Sequence, residues 1–106
     1  MWSIKKILVP TDFSDASERA LDAAITIAKK FEASIVLMHA YHVPVYPYPT
    51  TSLTPADLAG HVEHGARRAL QTAASRRGDS GVPITTVLNA GIPWEQIVGT
   101  AKEVNA

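Results

Sequence analysis

The chain has 106 residues, 46% hydrophobic and 19% charged, which suits one globular domain and excludes both a disordered chain and a two-domain protein. Ten basic residues balance ten acidic ones, so the electrostatic footprint of a nucleic-acid or anionic-membrane binder is missing and no such partner is expected. Cysteine is absent, which removes thiolate chemistry and sulfur-ligated zinc and leads us to expect a reducing, cytoplasmic setting.

Met1-Trp2-Ser3-Ile4-Lys5-Lys6 carries two lysines and lacks the apolar run of a signal peptide or a membrane span. Ile7-Leu8-Val9 follows, a short continuous apolar strand of the kind buried on both faces in a parallel sheet. Pro10 ends it, because proline has no N–H for a ladder. A helix is predicted from near Ser14. Ser14 or Asp15 can cap it, and Asp15 as cap would pair with Glu18 in a box-like arrangement. Ala20, Leu21, Ala24, Ile27, Ala28 and Phe31 supply its apolar stripe, and Lys29 and Lys30 suit the negative end of its dipole.

Residues 34–41 contain Ile35-Val36-Leu37-Met38 and are predicted as a second buried strand. A tyrosine- and proline-rich stretch, 41–53, follows as an extended loop, since prolines at 44, 47 and 49 exclude a helix. Thr54-Pro55-Ala56-Asp57 then opens a second helix with a capping threonine and a first-turn proline. Leu58, Val62, Ala66, Ala69, Leu70 and Ala73 form its buried stripe, and Arg76, Arg77 and Gly78 its cationic end and stop. Ile84 to Leu88 reads as the third strand, and Ile92-Pro93-Trp94-Glu95 opens the third helix. The order β-α-β-α-β-α implies an α/β fold with a parallel sheet and right-handed crossovers.

No catalytic constellation accompanies these elements: G-x-S-x-G, H-E-x-x-H and G-x-x-x-x-G-K-[ST] are all absent, so no catalytic residue and no metal ligand is assigned. Asp12 reads either as a ligand contact or as the turn residue between strand and helix, and the Thr11 hydroxyl as either a contact or a local turn stabiliser. His39 is read as a core histidine rather than a catalytic one. His61 and His64 share a helix face that suits solvent better than a metal. Tyr41, Tyr46 and Tyr48 either stack on a base or pack on the surface. Arg67, Arg68, Arg76 and Arg77 are read as a solvated helix face and its end, and Trp94 as packing at the start of the third helix.

Three segments in register resemble the universal stress protein family: Ile7-Leu8-Val9-Pro10-Thr11-Asp12-Phe13-Ser14, Val36-Leu37-Met38-His39-Ala40, and Asn89-Ala90-Gly91-Ile92-Pro93-Trp94-Glu95-Gln96-Ile97-Val98. The resemblance runs over essentially the whole chain. It implies a Rossmann-like, adenine-nucleotide alpha hydrolase-like sheet of five parallel strands. It also implies a stress-response or signalling module that binds ATP or AMP as a homodimer and is not an enzyme, with slow ATP hydrolysis only in a complete chain. The alternative within the family is an interaction or scaffolding domain that binds no nucleotide.

Carried onto this chain, the family's adenosine-holding positions are Pro10, Thr11 and Asp12 after the first strand and the backbone at Ala40 after the second. These are the carboxyl ends of adjacent parallel strands, where open α/β sheets bind ligands. Asp12 can accept from ribose hydroxyls or an exocyclic amine, and the Ala40 amide and carbonyl can meet a base edge. The resemblance further implies a phosphate-binding G-x-x-G loop after a fourth strand, with no metal beyond a nucleotide-associated magnesium. We expect this chain to lack any G-x-x-G, to stop at Lys102-Glu103-Val104-Asn105-Ala106 near the start of that fourth strand, and so to hold at most half of a nucleotide site. A three-stranded sheet would also leave one edge of its first strand unpaired, to be filled by a missing tail or by another chain.

Overall fold

The computed structural model describes residues 4–41, 55–91 and 93–106. Its elements are β1 (Lys6–Pro10), α1 (Asp15–Phe31), β2 (Ser34–Tyr41), α2 (Pro55–Ser75), β3 (Ile84–Ala90) and α3 (Pro93–Val104). The expected order is therefore present, with β3 running two residues past Leu88. Most of the Tyr41–Leu53 loop, including Tyr46 and Tyr48, and the proposed cap Thr54 lie outside the described residues, as does the side chain of Trp94.

All strand pairs are parallel, in the order β1-β2-β3. Val9 lies beside Leu37, and Met38 beside Val87. Alternation along β2 sorts the core into two faces. Val9, Ile35 and Leu37 form one cluster with Leu21, Ala24, Ile25 and Ala28 of α1 and Leu70 and Ala73 of α2. Val36 and Met38 are equally buried but stand outside that cluster, on the opposite face, where α3 packs across β2 and β1.

The ends of α1 are set by short-range chemistry. Ser14 caps it, its side chain accepting from the Ser17 amide. Asp15 is already the first helical residue, so the Asp15–Glu18 box does not form. At the other end Glu32 takes the left-handed conformation, and the Ala33 amide reaches back to the Ala28 carbonyl at 2.8 Å, a Schellman-type stop. The predicted apolar stripe is only partly the buried one. Leu21, Ala24, Ile25 and Ala28 are buried, whereas Ala20, Ile27 and Phe31 are exposed. At 100° per residue these three lie along the flank opposite Glu18 and Asp22, whose side chains face α2.

Arg77 corrects a second expectation. Instead of joining a solvated helix face, it turns from the end of α2 onto α1, with Nε donating to Asp22 Oδ1 at 2.8 Å and Nη2 paired with Glu18. Its side chain is only 13% exposed, and Nη1 also donates to the Ala73 carbonyl. Arg67 and Arg68 are exposed as expected, with Arg67 paired to Glu63 one turn earlier.

Backbone alternation also explains why Pro10 is tolerated in a strand. The Ser34 amide donates to the Lys5 carbonyl, and the Thr11 amide to the Met38 carbonyl. Odd positions of β1 therefore face β2, and Lys6, Leu8 and Pro10 face the outer edge. The missing N–H of Pro10 falls where β1 has no partner strand among the described residues.

Candidate functional site

At the carboxyl ends of β1 and β2 lies a cleft of about 240 Å³ lined by all four expected residues, Pro10, Thr11, Asp12 and Ala40, together with Ser17, His39 and Ile97. Each wall arises from a local rule. β1 ends at Pro10, the chain turns through residues 11–14, and α1 begins at once, so the strand end and the helix start close on each other.

Asp12 organises that turn. Its Oδ1 accepts from the Ser14 amide at 2.9 Å and from the Ser17 hydroxyl at 2.6 Å. The Ser14 side chain, the Ser17 hydroxyl and the Ser14 amide hold the carboxyl well below the usual carboxylate range, so the group is ionised. Both readings of Asp12 are thus compatible: Oδ1 makes the turn, while no donor among the described residues reaches Oδ2. Thr11 is buried, and its hydroxyl accepts from the Phe13 amide at 3.0 Å, which is the local turn role.

Ala40 offers backbone groups. In β2 the even residues face β1, as the Met38 carbonyl and Ser34 amide demonstrate. Ala40 stands one step beyond Met38 in that set, past the last residue of β1. Among the described residues no backbone group takes its amide or carbonyl.

His39 is half-buried, and its Nδ1 lies 2.7 Å from the Thr11 carbonyl oxygen. A carbonyl only accepts, so Nδ1 carries the hydrogen. The ring also packs on Phe13, with centroids 4.5 Å apart and planes at 44°. Phe13 itself has φ 66, an unusual backbone for a bulky residue. Ser17, His39 and Ile97 were not expected to line the cleft. Ser17 had a legible signal in its spacing from the capping Ser14. His39 and Ile97 reach the cleft through β2 and the crossover to α3, which no local pattern reveals.

The third wall is fixed by a polar contact between β3 and α3: the Asn89 side-chain amide donates to the Thr100 hydroxyl at 2.9 Å, with Thr100 buried. Gly91, at φ 139, makes the turn between them.

The expectation that no G-x-x-G occurs is wrong: Gly78-Asp79-Ser80-Gly81 has that spacing. It precedes β3 instead of opening a helix, and Gly81 borders a larger cleft of about 480 Å³ at the opposite, amino-terminal end of the sheet. Two of its four amides are spent within the turn, Gly78 and Ser80 donating to the Ser75 and Arg77 carbonyls. With no helix N-terminus behind it and at the wrong end of the strands, that turn lacks the setting of the implied phosphate loop, and the carboxyl-end cleft remains the candidate.

His61 and His64 are exposed on α2, and among the described residues no three His, Asp or Glu side chains gather as a metal site. No described helix is long and apolar enough to cross a membrane.

The model of the Universal stress protein family matches residues 3–106. Universal stress protein YxiE of Bacillus subtilis is 31% identical over 92% of this chain and 71% of its own. Universal stress protein MJ0531 of Methanocaldococcus jannaschii is 33% identical over 96% of this chain and 60% of its own. Among solved structures, a universal stress protein family member from Burkholderia pseudomallei superposes with TM-score 0.79 at 27% identity, over 96% of this chain and 76% of that one. A universal stress protein in complex with cAMP superposes with TM-score 0.70 at 26% identity, over 99% of this chain and 69% of that one.

Proposed function

Since the chain belongs to the universal stress protein family, we propose that it serves as a stress-response or signalling module that binds an adenine nucleotide, ATP or AMP, in the carboxyl-end cleft. One observation carries this reading. The ionised Asp12 and Ala40 border the same cleft, and among the described residues no hydrogen bond takes Asp12 Oδ2 or the Ala40 amide and carbonyl. A carboxylate that accepts from ribose hydroxyls beside a backbone pair that reads a base edge is what an adenosine group requires. Pro10 and Thr11 shape the wall between them. The cAMP complex of a similar protein supports the choice of ligand.

The fit is to the adenosine end. A cleft of about 240 Å³ falls below the roughly 300–1,000 Å³ of sites that enclose a drug-sized ligand, and no glycine loop lines it to receive phosphates. Any magnesium would accompany the phosphates, since no acidic cluster among the described residues would hold it. The function is nucleotide-dependent association in the cytoplasm, as a homodimer, and not turnover. The same small cleft favours the second reading, an interaction or scaffolding domain that binds no nucleotide.

Calorimetric titration with AMP and with ATP separates the two readings. Binding below about 1 mM that Asp12→Ala weakens at least tenfold fits the first, with both nucleotides bound about equally. No heat from either nucleotide at millimolar concentration sinks it and leaves the scaffold. Sedimentation with and without AMP tests the homodimer, which a single monomeric species under both conditions would refute.

A further inference from the structure

We propose that His39 is the positioning residue of this cleft: its Nδ1–H on the Thr11 carbonyl and its ring against Phe13 hold the β1–α1 turn in the shape that presents Asp12 to a ligand, an inference that rests on the adenine-nucleotide reading above.

The turn needs such a hold. Between the end of β1 and the cap of α1, the backbone tie to β2 is the Thr11 amide on the Met38 carbonyl. Two residues later Phe13 occupies the left-handed region at φ 66, which a bulky side chain keeps only when its surroundings fix it. Phe13 packs against the core cluster, and two further contacts that fix it lead back to one place. The Phe13 amide donates to the Thr11 hydroxyl, and the Phe13 ring rests on His39. His39 in turn holds the Thr11 carbonyl at 2.7 Å. It thus grips the residues on either side of Asp12 from the neighbouring strand, 28 positions away.

Asp12 depends on that grip for its direction. Its Oδ1 is spent on Ser14 and Ser17, at the start of α1, so the serines tie the carboxylate to the helix. The orientation of that helix start relative to Ala40 is set by the turn. The adjacency of His39 and Ala40 along β2 means that one strand end supplies both the backbone groups of the cleft and the clamp on the opposing wall. His39 is expected to act through Asp12 rather than by touching the reacting or bound atoms. The same contact places a hydrogen on Nδ1.

The test uses the full chain and AMP as the probe. Long-range nitrogen–proton NMR of the imidazoles at pH 8 should give His39 as the Nδ1–H tautomer. His39→Ala should weaken AMP binding about tenfold, the loss of a hydrogen bond and a ring contact, and should shift the amide signals of residues 12–17. His39→Gln keeps an N–H donor and should recover binding to within about threefold of wild type. An Nε2–H tautomer overturns the proposal, as does His39→Ala binding AMP within twofold of wild type with those amides unmoved. His39→Gln no better than His39→Ala overturns it too. If His39→Ala does not fold, the wild-type tautomer and His39→Gln carry the test. If wild type binds no AMP, the nucleotide reading fails, and the tautomer and the amide shifts still decide whether His39 clamps the turn.

Discussion

The Ser17 hydroxyl donates to Oδ1 of Asp12 at 2.6 Å, tying the first turn of α1 to the end of β1. The Ser14 amide shares the same oxygen at 2.9 Å, and the Ser14 hydroxyl caps the Ser17 amide. One carboxylate and two serines thus convert strand into helix within five residues, and the same carboxylate borders the cleft.

That arrangement predicts how Asp12 titrates. Its folded value lies below its unfolded one, so its contribution to stability is present above the unfolded value near 3.9 and is lost only as pH falls through the lower folded value. The Asp12 carboxyl carbon should show its NMR midpoint clearly below 3.9, and Ser17→Ala should move it upward. A midpoint at the ordinary value would mean that the serine contacts do not persist in solution.

Arg77 should act as a pin between α1 and α2. Arg77→Met keeps the apolar stem and should cost about 1–2 kcal/mol in urea unfolding, through charged hydrogen bonds lost from a mostly buried group. The Glu18 side chain is 25% exposed and that of Asp22 is 65% exposed, so Glu18→Gln should cost more than Asp22→Asn. Screening leaves little to an exposed partner. The reverse order would contradict this account.

The Asn89–Thr100 bond should be worth more than its single contact suggests. Thr100→Val preserves shape but leaves the half-buried Asn89 amide without its partner, for a loss of about 1–2 kcal/mol. Thr100→Ser should retain most of that bond. Equal stability of Val and Ser variants in thermal or urea unfolding would show the hydrogen bond to be idle.

Gly91 tests the turn into α3. Its φ of 139 is open to glycine alone, and a Cβ there would stand 2.6 Å from Gln96 Nε2. Gln96 can swing aside, but the backbone cannot, so Gly91→Ala should lose about 1–3 kcal/mol. Adding Gln96→Ala to Gly91→Ala should recover only a small part. Full recovery would place the cost in the side-chain clash instead.

Much of the fold was legible because it is written locally. The β2 run Ile35-Val36-Leu37-Met38 has no polar break, and it is buried on both faces as such a run requires. Pro55 stands at the first position of α2, where its missing N–H is harmless. The α1 stripe was less legible. Ala20, Ile27 and Phe31 satisfy a helical period as well as Ile25 does, and periodicity cannot tell a face turned to the sheet from the flank beside it. The four expected cleft residues were readable from strand ends and family resemblance, whereas His39 looked like an ordinary core histidine.

By itself, then, the sequence determined the alternation of strands and helices, the end of β1 at Pro10 and the proline start of α2. Each follows from backbone rules that operate over a few residues, while Asp12 and Ala40 were named through the family resemblance. Only the tertiary structure decided that Arg77 crosses from α2 to α1, that Ile97 of α3 walls the cleft, and that His39 grips Thr11 and Phe13. Those contacts join residues brought together by crossovers, and a side chain's partner across a crossover is set by helix placement and strand register, which no local window of sequence contains.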